Sequence, residues 1–351
     1  MNDYAVRRTR LQAAMEAAGV RSLLVSAPAN RYYLSGFELH DTQCNESSGV
    51  LLIRLDGPDA LLTDSRFEET ATECLGAESV VIYRRRKDLA AMLSDLGVAE
   101  LWVEEDSLCV REYRALAEKI QLHPAPPLVE EMRRIKSAEE IARLRASCAV
   151  NHRVFAQVTE MLRHGITEAE LAWELERSFR EAGAEALSFP TIVGFGQNGA
   201  KAHAIPGNQR LEPETPVLVD MGCRLQDYCS DQTRSFWYGS RPGPEFSRAL
   251  ALVQEAQAAA IEAIAPGVPC AEVDRVAREF LARHGVAEHF THSLGHGIGL
   301  ETHEAPRLAA HDPTILEPGM VVTVEPGLYF PWGGVRWEHM VVVTETGHEV
   351  L

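Results

Sequence analysis

Apolar residues recur at two different periods along this chain. Over AVRRTRLQAAMEAA (5–18) they stand at helical spacing among charged positions, which predicts an amphipathic helix. SLLVSA (22–27), GVLLIRL (49–55), ALLTD (60–64), SVVIYR (79–84) and AELWVEE (99–105) are short runs rich in Leu, Val and Ile and predict strands. Strands alternating with helical stretches predict an α/β domain. HPAPPL (123–128) is a proline-rich break, and the domain boundary is placed there: a smaller N-terminal domain over 1–128, a second over 129–351. Beyond it, 130–165 reads as helical, with Ser137 as an N-cap and Ser137–Glu140 as a capping box.

The second domain carries a faint internal repeat. GITEAELAWELERSFREAG (165–183) aligns with GVPCAEVDRVAREFLARHG (267–285), which suggests a duplicated α+β unit, although chance similarity is the alternative. Each half also contains a hairpin that pairs acids. VLVDMGCRLQDYCSDQTRSFWY (217–238) predicts a turn near Leu225–Gln226 with Asp220 and Asp231 symmetric about it. In that register the carboxylates face each other with Cβ atoms roughly 5 Å apart; a register with one Asp in the turn would separate them. VVTVEPGLYFPWGGVRWEHMVVVT (321–344) places Glu325 and Glu338 symmetrically about Pro331–Trp332. The flanks of both hairpins are apolar, so the acids would be half-buried and mutually repulsive unless they share a cation.

Between the hairpins lies HSLGHGIGLETHE (292–304). It is not the zinc helix H-E-x-x-H, because Ser293 stands where the glutamate belongs and three glycines argue against a helix. An extended segment that lets the backbone approach closely is expected, against the plainer reading of a polar loop with incidental histidines. Four carboxylates and one imidazole would suit a pair of divalent ions such as Mn²⁺, Co²⁺ or Zn²⁺.

Length, charge and cysteines narrow the setting. A chain of 351 residues fits two domains. A net charge of −17 disfavours nucleic acid and anionic membranes as partners. No run is long enough to span a membrane. The seven cysteines are scattered without a CxxC, which suggests reduced thiols and a cytoplasmic protein. Trp102 and Trp173 are expected to be packing residues.

The contexts VDMG, SDQTRSF, SLGHGIGLETHE, VEPGLY and GVRWEH, with the ordered set Asp220, Asp231, His296, Glu325 and Glu338, resemble the pita-bread metallopeptidases: methionine aminopeptidase, aminopeptidase P and prolidase. The resemblance covers nearly all of residues 135–351. It implies an α+β pita-bread catalytic domain with a pseudo-twofold repeat and two divalent metal ions, Mn²⁺ first with Co²⁺ or Zn²⁺ open. It implies that Asp231 and Glu338 bridge both metals, Asp220 holds one, and His296 and Glu325 complete the other, with Glu325 also the general base. His203 matches a substrate-contacting histidine, and His292 and His303 match a pair that handles protons and stabilises the tetrahedral intermediate. Tyr329 and Arg336 match residues lining the site of the proline-specific branch; methionine aminopeptidases generally have glutamine at the position of Arg336.

NRYYLSGF (30–37) and LLTDSRFEETA (61–71) resemble the creatinase-type α/β domain that precedes the catalytic domain in aminopeptidase P and prolidase. His339 departs from the pattern, standing where that branch often has aspartate. The implied activity is an Xaa-Pro aminopeptidase acting on proline-containing peptides. The alternatives are an Xaa-Pro dipeptidase restricted to dipeptides and, more remotely, a non-catalytic peptide-binding protein. A homodimer is also implied, and the polar stretch 36–49 is the candidate lid over the substrate.

Overall fold

The strand-forming runs of the first domain pair into one mixed sheet. A computed structural model describes residues 3–41 and 46–351, and the chain divides into two units, Met1–Arg133 and Arg134–Leu351. In the first unit β1 (Ser22–Val25), β2 (Gly49–Arg54), β3 (Ala60–Asp64), β4 (Val80–Tyr83), β5 (Glu100–Val103) and β6 (Gln121–Pro124) are ordered β4-β3-β2-β1-β5-β6. β2 runs antiparallel to both neighbours, and the remaining pairs are parallel. β6 begins before the proline-rich break and runs into it, at a sheet edge, where a proline's missing N–H leaves no partner unsatisfied. There His123 stacks on Trp102 with ring centroids 4.6 Å apart.

NRYYLSGF falls mostly in the helix Pro28–Ser35, closed by Gly36 in the left-handed region. Its Arg31 is fully buried, donates to the Gly49 and Glu38 carbonyls and pairs with Asp41 at 2.9 Å. Arg31 thus ties down both ends of the 36–49 stretch read as a lid; residues 42–45 lie outside the described residues.

The second unit opens with helix Ala138–Phe155, capped by the Ser137–Glu140 box. Its strands are β7 (Ala186–Leu187), β8 (Ile192–Phe195), β9 (Thr215–Met221), β10 (Cys223–Leu225), β11 (Tyr228–Cys229), β12 (Gln232–Tyr238), β13 (Gly295–Gly297), β14 (Glu304–Leu308), β15 (Val321–Val324), β16 (Gly327–Phe330), β17 (Gly333–Arg336), β18 (His339–Val343) and β19 (His348–Val350). They form the sheets β11-β10-β7, β12-β9-β8, β14-β13-β15-β18-β19 and β16-β17.

The internal repeat is real in the backbone. Helices Glu168–Glu181 and Cys270–Arg283 occupy corresponding places, each 14 residues long. Residues just before them make matching bridges, Thr167 to Arg210 and Pro269 to Ile315. The Leu211 amide donates to Ile166 and the Leu316 amide to Val268, both at 2.8 Å. Each half buries its own apolar cluster, one around Leu171, Phe179 and Val219, the other around Val273, Leu281 and Val322.

The two hairpins differ in how their registers follow the sequence. In the second, Val324 pairs with His339 and Gly327 with Arg336, the register symmetric about Pro331–Trp332 that sets Glu325 opposite Glu338. In the first, Asp220 pairs with Thr233 rather than Asp231. The turn sits at Gln226–Asp227, both at positive φ, one residue later than the pattern suggested. That shifts the register by two, so Asp231 becomes a diagonal neighbour of Asp220 on the same face of the ribbon. Trp173 is another correction: it is 64% exposed and packs no core.

Candidate active site

Five elements of the second unit bring the acids and the imidazole together. β9 presents Asp220, the step into β12 presents Asp231, and β13 presents His296. Glu325 follows β15, and Glu338 precedes β18. The glycines on either side of His296 explain how β13 fits among these strands. A Cβ at Gly295 would lie 1.9 Å from the Thr323 carbonyl oxygen, and one at Gly297 would lie 2.3 Å from that of Ala305.

His296 Nε2 is 3.3 Å from Glu325 and 3.7 Å from Asp231. Donor atoms of Asp231, His296 and Glu338 all lie within 4.8 Å of one another. His296 Nδ1 faces the Gly297 carbonyl at 3.0 Å, a contact suited to an Nδ1–H that leaves Nε2 free to ligate.

The electrostatics call for positive charge. Burial, followed by the charges of Glu338 and Asp220, pushes Asp231 well above the ordinary carboxylate range. Burial and then Glu325 and Asp220 do the same to Glu338. Glu325 goes the other way: burial would raise it, but the hydrogen bond and charge of His296 bring it down to about 2. Burial works against a charged His296, yet Glu325 holds its pKa above the usual imidazole value. Asp220 Oδ1 and Glu338 Oε1 are buried with no hydrogen-bond partner. Orphaned oxygens among mutually repelling carboxylates, with one imidazole, fit divalent cations of the Mn²⁺, Co²⁺ or Zn²⁺ kind.

A second set of side chains fixes the first. The Thr233 hydroxyl donates to Glu338 at 2.8 Å and accepts from Arg336 Nε at 3.0 Å. Arg336, almost fully buried, pairs with Asp220 Oδ2 at 2.6 Å and donates to the Tyr329 hydroxyl at 2.5 Å. That hydroxyl lies 2.9 Å from His292 Nε2, while His292 Nδ1 meets the Ser293 carbonyl at 2.8 Å. His339 sits between Arg234, at 2.7 Å, and Gln257, at 3.0 Å. Burial and then the Arg234 charge lower its pKa to about 4, so where the branch often has a carboxylate this chain has a neutral ring.

The five acid and imidazole residues open onto a cavity of about 660 Å³. His203, His292, His303 and Arg336 also line it. Tyr329 does not; it stands behind the wall, bonded to His292 and Arg336. Phe189, Pro190 and Ile205 supply apolar wall, and Arg307 a cation. These four and Thr233 were not marked from the sequence. Thr233 carried a signal, since it lies two residues after Asp231 on the same strand face. The wall residues carried none: Phe189, Pro190 and Ile205 are isolated apolar residues in loops with no period to read, and Arg307 is a single basic residue in the short strand β14.

Residues 142–345 match metallopeptidase family M24, and residues 7–135 match the creatinase/prolidase N-terminal domain. The chain belongs to metallopeptidase family M24. An M24 peptidase of this build has a creatinase-type N-terminal domain followed by the pita-bread catalytic domain. It is 32% identical to an uncharacterized peptidase of Staphylococcus aureus over 331 residues, 93% of each chain. Its fold is similar to that of the Xaa-Pro dipeptidase from Bacillus anthracis, with 35% identity, a TM-score of 0.91, and 99% of this chain and 97% of that one covered. The X-Pro aminopeptidase from Thermotoga maritima is likewise similar, with 32% identity, a TM-score of 0.87, and 98% and 96% covered. No helix among the described residues is long and apolar enough to cross a membrane.

Proposed function

We propose that this M24 peptidase is an Xaa-Pro aminopeptidase, which hydrolyses the bond between an N-terminal residue and a following proline. The observation that carries the reading is the convergence of Asp220, Asp231, His296, Glu325 and Glu338 on a cavity that three further histidines line. The similarity to the Bacillus Xaa-Pro dipeptidase and the Thermotoga X-Pro aminopeptidase supports the choice of bond. The apolar wall of Phe189 and Pro190 suits a pyrrolidine ring.

Two divalent ions held by those five residues would supply Lewis acidity and lower the pKa of water. The chain's own groups do the rest. Glu325 takes up a proton during attack and returns it towards the proline nitrogen. His303 donates a hydrogen bond to the oxygen of the scissile carbonyl as it gains charge. Burial and then the His296 charge hold the His303 pKa down to about 4, so it does this as a neutral ring. His203 contacts the substrate from the opposite loop, and His292 orders the cavity wall through Tyr329 and Arg336.

One observation favours the narrower reading of a dipeptidase. Arg307 lines the cavity, and a cation there suits the free carboxylate of an Xaa-Pro dipeptide. A homodimer in the cytoplasm completes the proposal. The test is hydrolysis of Ala-Pro and Ala-Pro-Ala by metal-stripped protein with Mn²⁺, Co²⁺ or Zn²⁺ restored. Tripeptide cleavage is expected; cleavage of the dipeptide alone would transfer the assignment to a dipeptidase. No cleavage with any metal would sink both.

A further inference from the structure

The segment that carries His292 is held by a helix that contributes nothing to the cavity wall. Asp274 and Arg278 lie one turn apart on Cys270–Arg283, and Asp274 is fully buried. Arg278 clasps it with two bonds, Nε to Oδ2 at 2.6 Å and Nη2 to Oδ1 at 3.0 Å. The pair then acts on the backbone of one short stretch. Asp274 Oδ1 accepts from the Leu294 amide at 3.1 Å, an N–H it shares with the Leu308 carbonyl. Arg278 Nη2 donates to the His292 carbonyl at 2.5 Å, and Nη1 reaches that of Phe290 at 3.4 Å.

The guanidinium also lies over the Phe290 ring, 4.4 Å from its centroid, and that ring meets the His292 imidazole edge-on at 5.1 Å. Residues 291–293 belong to neither helix nor strand, so no ladder fixes them. A buried ion pair gives little cohesion beyond what well-packed apolar residues would give. What it gives here is direction: donors and an acceptor aimed at the peptide groups on both sides of His292.

We propose that Asp274 and Arg278 are positioning residues for the peptidase reaction, setting the place of the His292 imidazole on the cavity wall. This rests on the reading of the cavity as an Xaa-Pro peptidase site in which His292 takes part. Their effect on turnover passes through His292, and not through the metal ligands or the stability of the unit.

A double-mutant cycle tests this. Arg278→Ala, Arg278→Lys and Asp274→Asn are made in the parent and in His292→Ala, and kcat and KM for Ala-Pro-Ala are measured with Mn²⁺, alongside bound metal and Tm. In the parent, Arg278→Ala is expected to lower kcat on the order of 10- to 100-fold with KM little changed, as misplacement of a group in the site does. Arg278→Lys restores part of the loss. In His292→Ala, the same change should cost no more than about twofold. Equal losses in both backgrounds, or losses that track metal content or Tm, overturn the proposal.

If Arg278→Ala does not fold, Arg278→Lys and Asp274→Asn carry the cycle. If His292→Ala is too slow to measure, histidine side-chain NMR of Arg278→Lys reads the same point. The His292 resonances should move while those of His203 stay, and unmoved His292 resonances overturn the proposal. A parent enzyme that cleaves no Xaa-Pro peptide with any metal overturns the peptidase reading itself; an active parent with additive losses overturns only the positioning.

Discussion

Asp231 and Glu338 are the residues for which a cation matters most. Both are buried, and each faces other carboxylates, so in metal-free protein their charged forms are disfavoured. Asp231→Asn removes one of the repelling charges and keeps the shape. In metal-stripped protein it is therefore expected to stabilise the fold, by about 0.5–2 kcal/mol. With Mn²⁺ restored the sign reverses, because the variant has lost a ligand. Thermal denaturation of both proteins with and without Mn²⁺ reads this as a crossing of the two stability orders. No crossing would mean that Asp231 does not hold the metal. The acids and His296 were legible in the sequence because each sits in a distinctive local context. Tyr329 was less so: its context marks it as near the site, but which side of β16–β17 faces the cavity depends on packing that no local pattern records.

At the scale of elements, the close approach of β13 to its neighbours is what puts His296 among the acids. Gly295→Ala would drive a methyl group into the Thr323 carbonyl, and Thr323 also bonds the His296 amide and Glu325. Either strand can give way only by moving a candidate metal ligand. The expected result is a folded protein with Mn²⁺ affinity weakened about 10- to 100-fold, as for other outer supports of metal sites. Titration of stripped protein measures it, and unchanged affinity would count against the close-approach account.

Hairpins also show what sequence can specify. The 321–344 register was readable because long valine-rich flanks and a Pro-Trp-Gly-Gly turn leave one symmetric solution. The 217–238 register was misread by two residues. Its turn is made by Gln226 and Asp227 at positive φ, and neither is a glycine that would have announced it. The shift kept Asp220 and Asp231 on one face, so the chemistry survived the error. The exposure of Trp173 had no such protection: helical spacing placed it on a helix, but only the tertiary fold decides which side meets solvent.

Across the whole molecule, the two units carry different sensitivities. In the first, the Glu104 carboxylate is buried, where it accepts from the Ser26 and Ala27 amides and from Asn30. Burial raises its pKa to about 7, against the pull of those donors. The folded value lies above the unfolded one, so its contribution is intact below about 4.5 and is lost as pH rises through about 7. Relative to the parent, Glu104→Gln should gain stability between pH 5 and pH 8, by at most about 3 kcal/mol. Urea unfolding at several pH values reads that difference, and a difference that stays flat with pH would show Glu104 ionised throughout.

The second unit instead answers to metal. Its mutually repelling carboxylates and His296 lie in or next to β9, β12, β13, β15 and β18, strands that hold the two halves of the repeat at one cavity. Binding that favours the folded state stabilises it by mass action, about 2.7 kcal/mol at a hundredfold excess over Kd. Hydrogen exchange with and without Mn²⁺ should therefore slow most at amides of those strands. The amides of β1 to β6 should change far less, since they belong to the unit that contributes none of the five candidate ligands. Equal slowing in both units would mean that metal and fold are coupled through the whole chain rather than through the carboxylates that call for it.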